Sequence, residues 1–210
     1  LQARLKYNET NGEEGALVVA THSSWGIDMG QPEDVPLWCA FYDTMGEAGI
    51  LSAAATANAN YNIDLVGDLP TACPSEYLIS VTNMNQNDEK VIGAGYGATT
   101  IDLGAPGANA FTLTSNNYGG FGGTSGATPH VAGTVAWLYS APCTSFAELV
   151  TNNPSEAAQK VRDYIFNGVD PNETLDGITV TGGRLNVNNA VQLLMDECEE
   201  MDVEELNFSS

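Results

Sequence analysis

Residues 123–133, which read Gly-Thr-Ser-Gly-Ala-Thr-Pro-His-Val-Ala-Gly, constrain the fold of this chain more than any other segment. Glycines before and within the run allow the backbone to approach a ligand closely. Thr124 can cap a helix whose body is the apolar segment 131–138, and Pro129 falls in its first turns, where a missing N–H costs least. Ser125 then lies beside the unpaired N–H groups at the positive end of that helix. The pattern predicts a glycine-rich loop that leads into a buried helix and makes Ser125 a candidate nucleophile.

Apolar runs of strand length alternate with helical repeats along the rest of the chain. Residues 15–21 and 50–57 are continuous apolar runs, typical of strands that are buried on both faces. Between them, residues 36–48 repeat apolar side chains at helical spacing. Further strands are predicted at 77–82, 101–103 and 111–113 with a short extended piece at 179–181, and further helices at 1–7, 146–150, 155–166 and 187–195. This alternation predicts an α/β fold with a mostly parallel buried sheet and helices on both faces.

The segment 123–133 resembles the active-site serine motif of the subtilisin-like serine proteases. Blocks at 24–26, 53–58 and 101–107 upstream, and at 183–190 downstream, resemble the same family in the same order. The resemblance implies that residues 1–195 form the C-terminal part of a subtilisin-like peptidase domain that is incomplete at its N-terminus. The remaining residues, 196–210, are rich in Asp and Glu and are predicted to be an acidic tail or linker.

The resemblance assigns the two catalytic roles that this chain can supply. Ser125 matches the nucleophile. Asn58 matches the asparagine whose side-chain N–H, together with the backbone N–H of Ser125, holds the oxyanion of the tetrahedral intermediate. The family usually has glycine before this asparagine, where the chain has Ala57, and Asn60 and Asn62 are the nearby alternatives to Asn58.

The resemblance also implies a cleft for a polypeptide substrate. One side is an edge that pairs with the substrate backbone, and the other is the facing wall of the specificity pocket. The expected residues are Ser24, Trp25 and Gly26 on the edge, and Ala55, Thr56 and Ala57 on the wall.

Asp68 falls, by the family pattern, near the base of the pocket for the residue before the cut. A carboxylate in that position would favour a substrate Lys or Arg, because opposite charge offsets the cost of burying the carboxylate. The alternative is that Asp68 caps the turn through Gly67 and faces water.

The base of the catalytic triad is missing from the sequence. The subtilisin order is Asp, His, Ser, and the chain has two histidines, His22 and His130. His130 follows Ser125 by five residues on the same helix, about 140° round from it, so its ring cannot take the serine proton. His22 lies in a segment where the family has no base. The triad Asp and His are therefore expected on a segment before Leu1, cleaved away or on another chain, and this chain alone is expected to be inactive.

Two classes of function remain open. The first is a serine endopeptidase, which the presence of both Ser125 and Asn58 favours. The second is a non-catalytic subtilisin-like module that binds peptides or partners. An α/β-hydrolase would need its histidine after the serine in chain order, and nothing beyond His130 supplies one.

The charge of the chain excludes some partners. Six Lys and Arg residues against 27 Asp and Glu give a formal net charge of −21. Such a surface repels nucleic acid and anionic membranes. No apolar stretch is long enough to span a membrane. The composition fits a secreted, extracellular protein.

Four cysteines, at positions 39, 73, 143 and 198, lack the spacing of a metal site. Two disulfides suit a secreted enzyme, although four cysteines allow three connectivities, and buried reduced thiols are the alternative. The resemblance places Cys39 and Cys73 in neighbouring regions, which favours Cys39–Cys73 and leaves Cys143–Cys198. No metal site is predicted and no cofactor is required for the chemistry, while a structural calcium ion is compatible with the resemblance.

Overall fold

A computed structural model describes the backbone of residues 1–208 and the side chains of residues 1–198. Six strands of the described chain form a central sheet. Their spatial order is β1 (Ala20–Ser23), β3 (Leu51–Ala55), β5 (Leu78–Met84), β6 (Leu103–Pro106), β10 (Gly183–Arg184) and β9 (Asp170–Pro171). Neighbouring strands are parallel except for the antiparallel pair β9 and β10. The sheet is therefore mostly parallel, as the alternation of apolar runs predicts.

Two short antiparallel pairs lie outside the central sheet. Strand β2 (Ile27–Asp28) pairs with β4 (Asp68–Leu69), which places Asp28 directly opposite Asp68. Strands β7 (Ala110–Leu113) and β8 (Tyr118–Phe121) form a hairpin that leads into the serine helix.

Helices cover both faces of the central sheet. The described helices are α1 (Gln2–Glu9), the 3₁₀ turn Pro32–Asp34, α2 (Pro36–Glu47), α3 (Ile63–Val66), α4 (Thr124–Tyr139), α5 (Thr144–Asn152), α6 (Pro154–Asn167) and α7 (Val187–Phe208). Successive residues of a strand point to opposite faces. Accordingly, Ala53 joins the apolar core that contains Val131 of α4, and Ala54 joins the core that contains Tyr42 of α2. The predicted α/β class with helices on both faces is confirmed.

The predicted buried strand at 15–21 is wrong. Strand β1 begins only at Ala20 and forms the edge of the described sheet, so its residues are mostly half-exposed rather than buried on both faces. Residues 15–19 run alongside α1, where the N–H of Ala16 donates to the carbonyl of Ala3. An apolar run indicates that a segment is at least partly buried, but it does not indicate whether other strands lie on both sides of that segment.

Other boundaries also differ from the predictions. The strand expected at 101–103 begins at Leu103, and residues 179–181 form bends beside the short strand β10. Helix α7 continues to Phe208, past its predicted end at residue 195. The division of the chain after residue 195 remains a prediction, because the acidic side chains beyond Cys198 lie outside the described residues.

Both disulfides pair as the resemblance implies. Cys39 of α2 bonds to Cys73, with Cα atoms 5.1 Å apart. Cys143, which caps the N-terminus of α5, bonds to Cys198 of α7, with Cα atoms 5.8 Å apart. The second bond joins the last helix to the segment that follows the serine helix.

Within the part of the chain that the structure describes, no helix has both the length and the apolar character needed to cross a membrane.

Candidate active site

Ser125 is the second residue of α4, so it lies at the positive end of a sixteen-residue helix. The prediction that Thr124 caps this helix is wrong. Thr124 is already helical and fully buried, and Gly123 is the capping residue, with a φ of +75° that favours glycine. The backbone N–H of Thr124 donates instead to Oδ1 of Asn58, at 3.1 Å. The side chain of a distant asparagine thus satisfies a free N–H of the helix.

This hydrogen bond fixes the orientation of the Asn58 amide. Because Oδ1 accepts from Thr124, the Nδ2 group remains as the donor for a ligand. No acceptor in the described part of the chain pairs with the backbone N–H of Ser125. A side chain at Gly123 would place its Cβ 2.6 Å from Oδ1 of Asn58, so only glycine fits between the serine and the asparagine. Two N–H donors are therefore available on the same side of the serine.

The candidate residues line one pocket beside Ser125. It contains all nine residues that the sequence singled out, namely Ser125, Asn58, Ser24, Trp25, Gly26, Ala55, Thr56, Ala57 and Asp68. Two further residues line it that the sequence reasoning missed, Asp28 and Thr124. Their placement is a structural fact, while their roles in catalysis and substrate binding remain predictions.

Asp68 is buried in the wall of this pocket, with 2% of its surface exposed. Its Oδ2 accepts hydrogen bonds from the backbone N–H of Ala57 at 3.0 Å and from the hydroxyl of Thr71 at 2.6 Å. Burial raises the pKa of Asp68 to about 6, with a smaller contribution from the charge of Asp28, and hydrogen bonds from Thr71, Ala57 and Thr56 oppose this shift. Asp68 therefore does not face water, although its carboxylate accepts from Thr71 in the turn that follows it, so a structural role and a role in specificity both remain predictions.

Neither histidine contacts the hydroxyl of Ser125. His22 is exposed on β1, and its Nδ1 lies 3.3 Å from Oγ of Ser24. The Nδ1 of His130 lies 2.9 Å from the carbonyl oxygen of Gly126, one turn earlier in its own helix. The Ser125 hydroxyl instead donates to the carbonyl of Ser24 at 3.3 Å. The serine therefore has no base among the described side chains.

Asp28 is the residue whose position the sequence did not indicate. It lies two residues beyond Gly26 on an exposed two-residue strand, too short to produce a periodic pattern. Its proximity to Asp68 comes from the pairing of two segments forty residues apart. The one available signal was an acidic residue next to the predicted substrate edge.

The described side chains contain no group of three or more His, Cys, Asp or Glu residues that could hold a metal ion. The predictions that the chemistry needs no cofactor and that a structural calcium ion is compatible with the domain remain predictions.

The fold and the site together define a class, that of parallel α/β proteins in which a serine opens a buried helix beside a pocket at the edge of the sheet. Within this class, the model of the subtilase family matches residues 16–178, and the chain belongs to that family. Membership supports a function of the serine protease type.

Two curated relatives and one solved structure show how far the similarity extends. Subtilisin-like protease 10 of Arthroderma otae is 38% identical over 104 residues, which are 48% of this chain and 25% of the relative. Thermitase of Thermoactinomyces vulgaris is 32% identical over 152 residues, 69% of this chain and 45% of the relative. The structure of the prenylagaramide maturation protease PagA has a TM-score of 0.66 at 21% identity, with 92% of this chain and 66% of that chain covered, and so shows the same fold. The chain spans less than half the length of the two curated relatives.

Proposed function

We propose that Ser125 is the nucleophile of a subtilisin-type serine endopeptidase whose catalytic base lies outside this chain. One observation carries the proposal: Ser125 and Asn58 line the same pocket, and each of them has an N–H donor without a partner among the described residues, the backbone N–H of Ser125 and Nδ2 of Asn58. A nucleophile beside preorganised donors is what acyl transfer requires.

The reaction follows from these positions. Oγ of Ser125 bonds to the carbonyl carbon of the substrate while its proton passes to a histidine, and the carbonyl oxygen becomes an oxyanion. The amide of Asn58 and the backbone N–H of Ser125 donate to this oxyanion. The peptide C–N bond then breaks, and the proton moves from histidine to the leaving amine. Water next attacks the acyl-enzyme while the histidine takes its proton, and the ester bond breaks as the histidine returns that proton to Oγ of Ser125.

The triad Asp and His come from another segment, which makes that segment the main protein partner of this chain. The two disulfides support secretion, because such bonds persist in oxidising compartments. The test of the function is peptide hydrolysis by a form that includes the missing triad residues, abolished by Ser125→Ala. Peptide binding without any hydrolysis by that form would instead favour the non-catalytic binding module.

A polypeptide substrate lies along the edge formed by residues 24–26, and the side chain before the cut enters the pocket beside Asp68. Residues 55–57 form the wall that faces this edge. Because Asp68 is a buried carboxylate, the pocket favours a substrate Lys or Arg over an apolar side chain.

Replacing Asp68 by asparagine should change the preference of the enzyme rather than its chemistry. We expect the ratio of kcat/KM for Arg over Phe substrates to fall by about tenfold or more, since one ion pair in a partly desolvated site is lost. Asparagine retains an oxygen that can accept the N–H of Ala57. The measurement is kcat/KM for matched peptides in which the residue before the scissile bond is Arg, Leu or Phe. It is made in low salt, where screening of the ion pair is weakest. An unchanged Arg/Phe ratio would make Asp68 a purely structural residue.

The same preference should depend on pH. With the pKa of Asp68 raised to about 6, its carboxyl is protonated at about pH 5 and ionised at about pH 8. Only the ionised form attracts a cation, so the Arg/Phe ratio of kcat/KM should rise as pH increases through about 6. Titration of the catalytic histidine affects both substrates equally and cancels in the ratio. In Asp68→Asn the ratio should be flat over this range, and a slope that survives the substitution would point to another group.

A further inference from the structure

Two asparagines of the sequence are followed directly by glycine, in the pairs Asn11-Gly12 and Asn167-Gly168. Such a pair can react with itself, because glycine has no side chain to keep its backbone nitrogen away from the amide of the preceding asparagine. In a folded chain the reaction requires that the nitrogen and the side-chain amide can meet. The two pairs lie in different surroundings, so the fold decides which of them reacts.

Asn11 lies in the exposed loop that follows α1. Its φ is +51° and that of Gly12 is +88°, so both residues are in the left-handed region, which asparagine and glycine adopt more readily than other residues. Both are exposed, and the side-chain amide of Asn11 makes no hydrogen bond with the described residues. The backbone N–H of Gly12 donates to the carbonyl of Tyr7 at 2.9 Å. This single bond in an exposed loop must open before the nitrogen can react.

The second pair is held by the packing of two helices. Asn167 is the last residue of α6, and Gly168 is buried against α7, where a Cβ on the glycine would lie 2.7 Å from the backbone nitrogen of Ala190. The N–H of Gly168 donates to the carbonyl of Tyr164 at 3.0 Å. Freeing this N–H requires α6 to separate from α7. Local opening costs less free energy where few buried contacts are lost, which favours reaction at Gly12.

We propose that Asn11 is a site of spontaneous deamidation, with water as the one co-reactant. The backbone nitrogen of Gly12 loses its proton to solvent and attacks Cγ of Asn11. The Cγ–Nδ2 bond breaks, and the departing group takes up a proton and leaves as ammonia. The product is a five-membered succinimide, in which Cγ is bonded to the nitrogen of Gly12. Water then opens the ring at either of its two carbonyls and leaves aspartate or isoaspartate at position 11. The reaction does not involve Ser125.

The modification changes the loop in two ways. Either product adds a carboxylate beside Glu13 and Glu14, close to the C-terminal end of α1, where negative charge is unfavourable. Isoaspartate also lengthens the main chain by one methylene group between positions 11 and 12, which displaces the N–H of Gly12 from the carbonyl of Tyr7. The last turn of α1 is therefore the part of the fold that the modification weakens.

The test is incubation of the folded 210-residue chain in mildly alkaline buffer, followed by peptide mapping. Mass spectrometry measures the conversion of each asparagine, and labelling by an isoaspartyl methyltransferase identifies the isoaspartate product. We expect Asn11 to convert at least about tenfold faster than Asn167, because opening the buried pair costs more free energy. The rate at Asn11 should rise with pH, since the deprotonated nitrogen is the nucleophile.

Unfolding the chain in urea is the matched control, because it exposes both pairs equally and should make their rates similar. In the folded chain, Asn11→Gln should abolish the conversion at this position and leave that of Asn167 unchanged, since the longer side chain closes a ring much more slowly. Equal or faster conversion of Asn167 in the folded chain would overturn the proposal, and so would a preference for Asn11 that persists in urea. Conversion of Asn11 no faster than that of Asn60, an exposed asparagine that precedes tyrosine, would also contradict it.

Discussion

The 210-residue chain alone is expected to leave peptide substrates uncut, and addition of the segment with the triad Asp and His is expected to restore hydrolysis by several orders of magnitude. The reason is that no described histidine reaches Oγ of Ser125, which donates instead to the carbonyl of Ser24. A serine and its base act as a unit, so the absence of one removes nearly all of their joint contribution. The measurement compares initial rates for a chromogenic peptide with the chain alone and with the segment joined in cis or added as a separate fragment.

The control for restored activity is Ser125→Ala in the same complemented form, which should return the rate to that of the chain alone. Strong hydrolysis by the isolated chain that Ser125→Ala abolishes would contradict the prediction. His22 would then be the first residue to test as a base, through His22→Ala, since it lies two hydrogen bonds from the backbone of Ser125.

Replacing Asn58 by alanine should lower kcat by roughly 10²–10³ in an active form while KM changes little. An oxyanion donor acts on charge that develops in the transition state, so its loss slows the chemical step and barely affects substrate binding. Steady-state kinetics with a matched peptide gives both constants. A rise in KM with unchanged kcat would move the search for the donor to Asn60 or Asn62.

The structure provides a control that separates catalysis from stability. Asn58→Ala also removes the acceptor for the N–H of Thr124, and loss of such a helix cap costs about 1 kcal/mol. Asn58→Asp keeps that acceptor and removes the amide donor, so it should preserve the thermal unfolding midpoint and still lose kcat. Asn60 and Asn62 are weaker candidates for the donor than Asn58, because neither of them lines the pocket that contains Ser125.

Local patterns in the sequence predicted most of the helices and strands. They did not predict features that depend on contacts between residues far apart in the sequence. Helix α2 repeats apolar residues at helical spacing, and the serine helix combines a glycine-rich approach with an apolar body, so both helices could be predicted from their own residues. The side-chain acceptor for the first N–H of α4 could not be predicted in this way, because it belongs to Asn58, which lies 66 residues away from Thr124.

The candidate site shows the same division. The resemblance identified nine pocket residues from motifs, and the structure brings all nine together. It gave no indication of Asp28, whose place in the pocket comes from its register opposite Asp68 rather than from its own neighbours in sequence. The prediction of a buried strand at residues 15–21 failed for a related reason. An apolar run indicates that a segment packs against other parts of the protein, but it does not identify the element against which it packs.

The two hydrogen bonds between Ser24 and Ser125 have a consequence for how an active enzyme assembles. The hydroxyl of each serine donates to the carbonyl of the other, at 3.0 Å and 3.3 Å, and so joins the end of the edge strand to the start of the serine helix. The proposed nucleophile and the proposed substrate edge are thus held in register within this chain. The entropy cost of fixing these two parts of the site relative to each other is met before any second segment docks. Under the proposed function, the second segment would supply the proton acceptor, and the Ser125 hydroxyl would exchange its hydrogen bond to the Ser24 carbonyl for one to that acceptor.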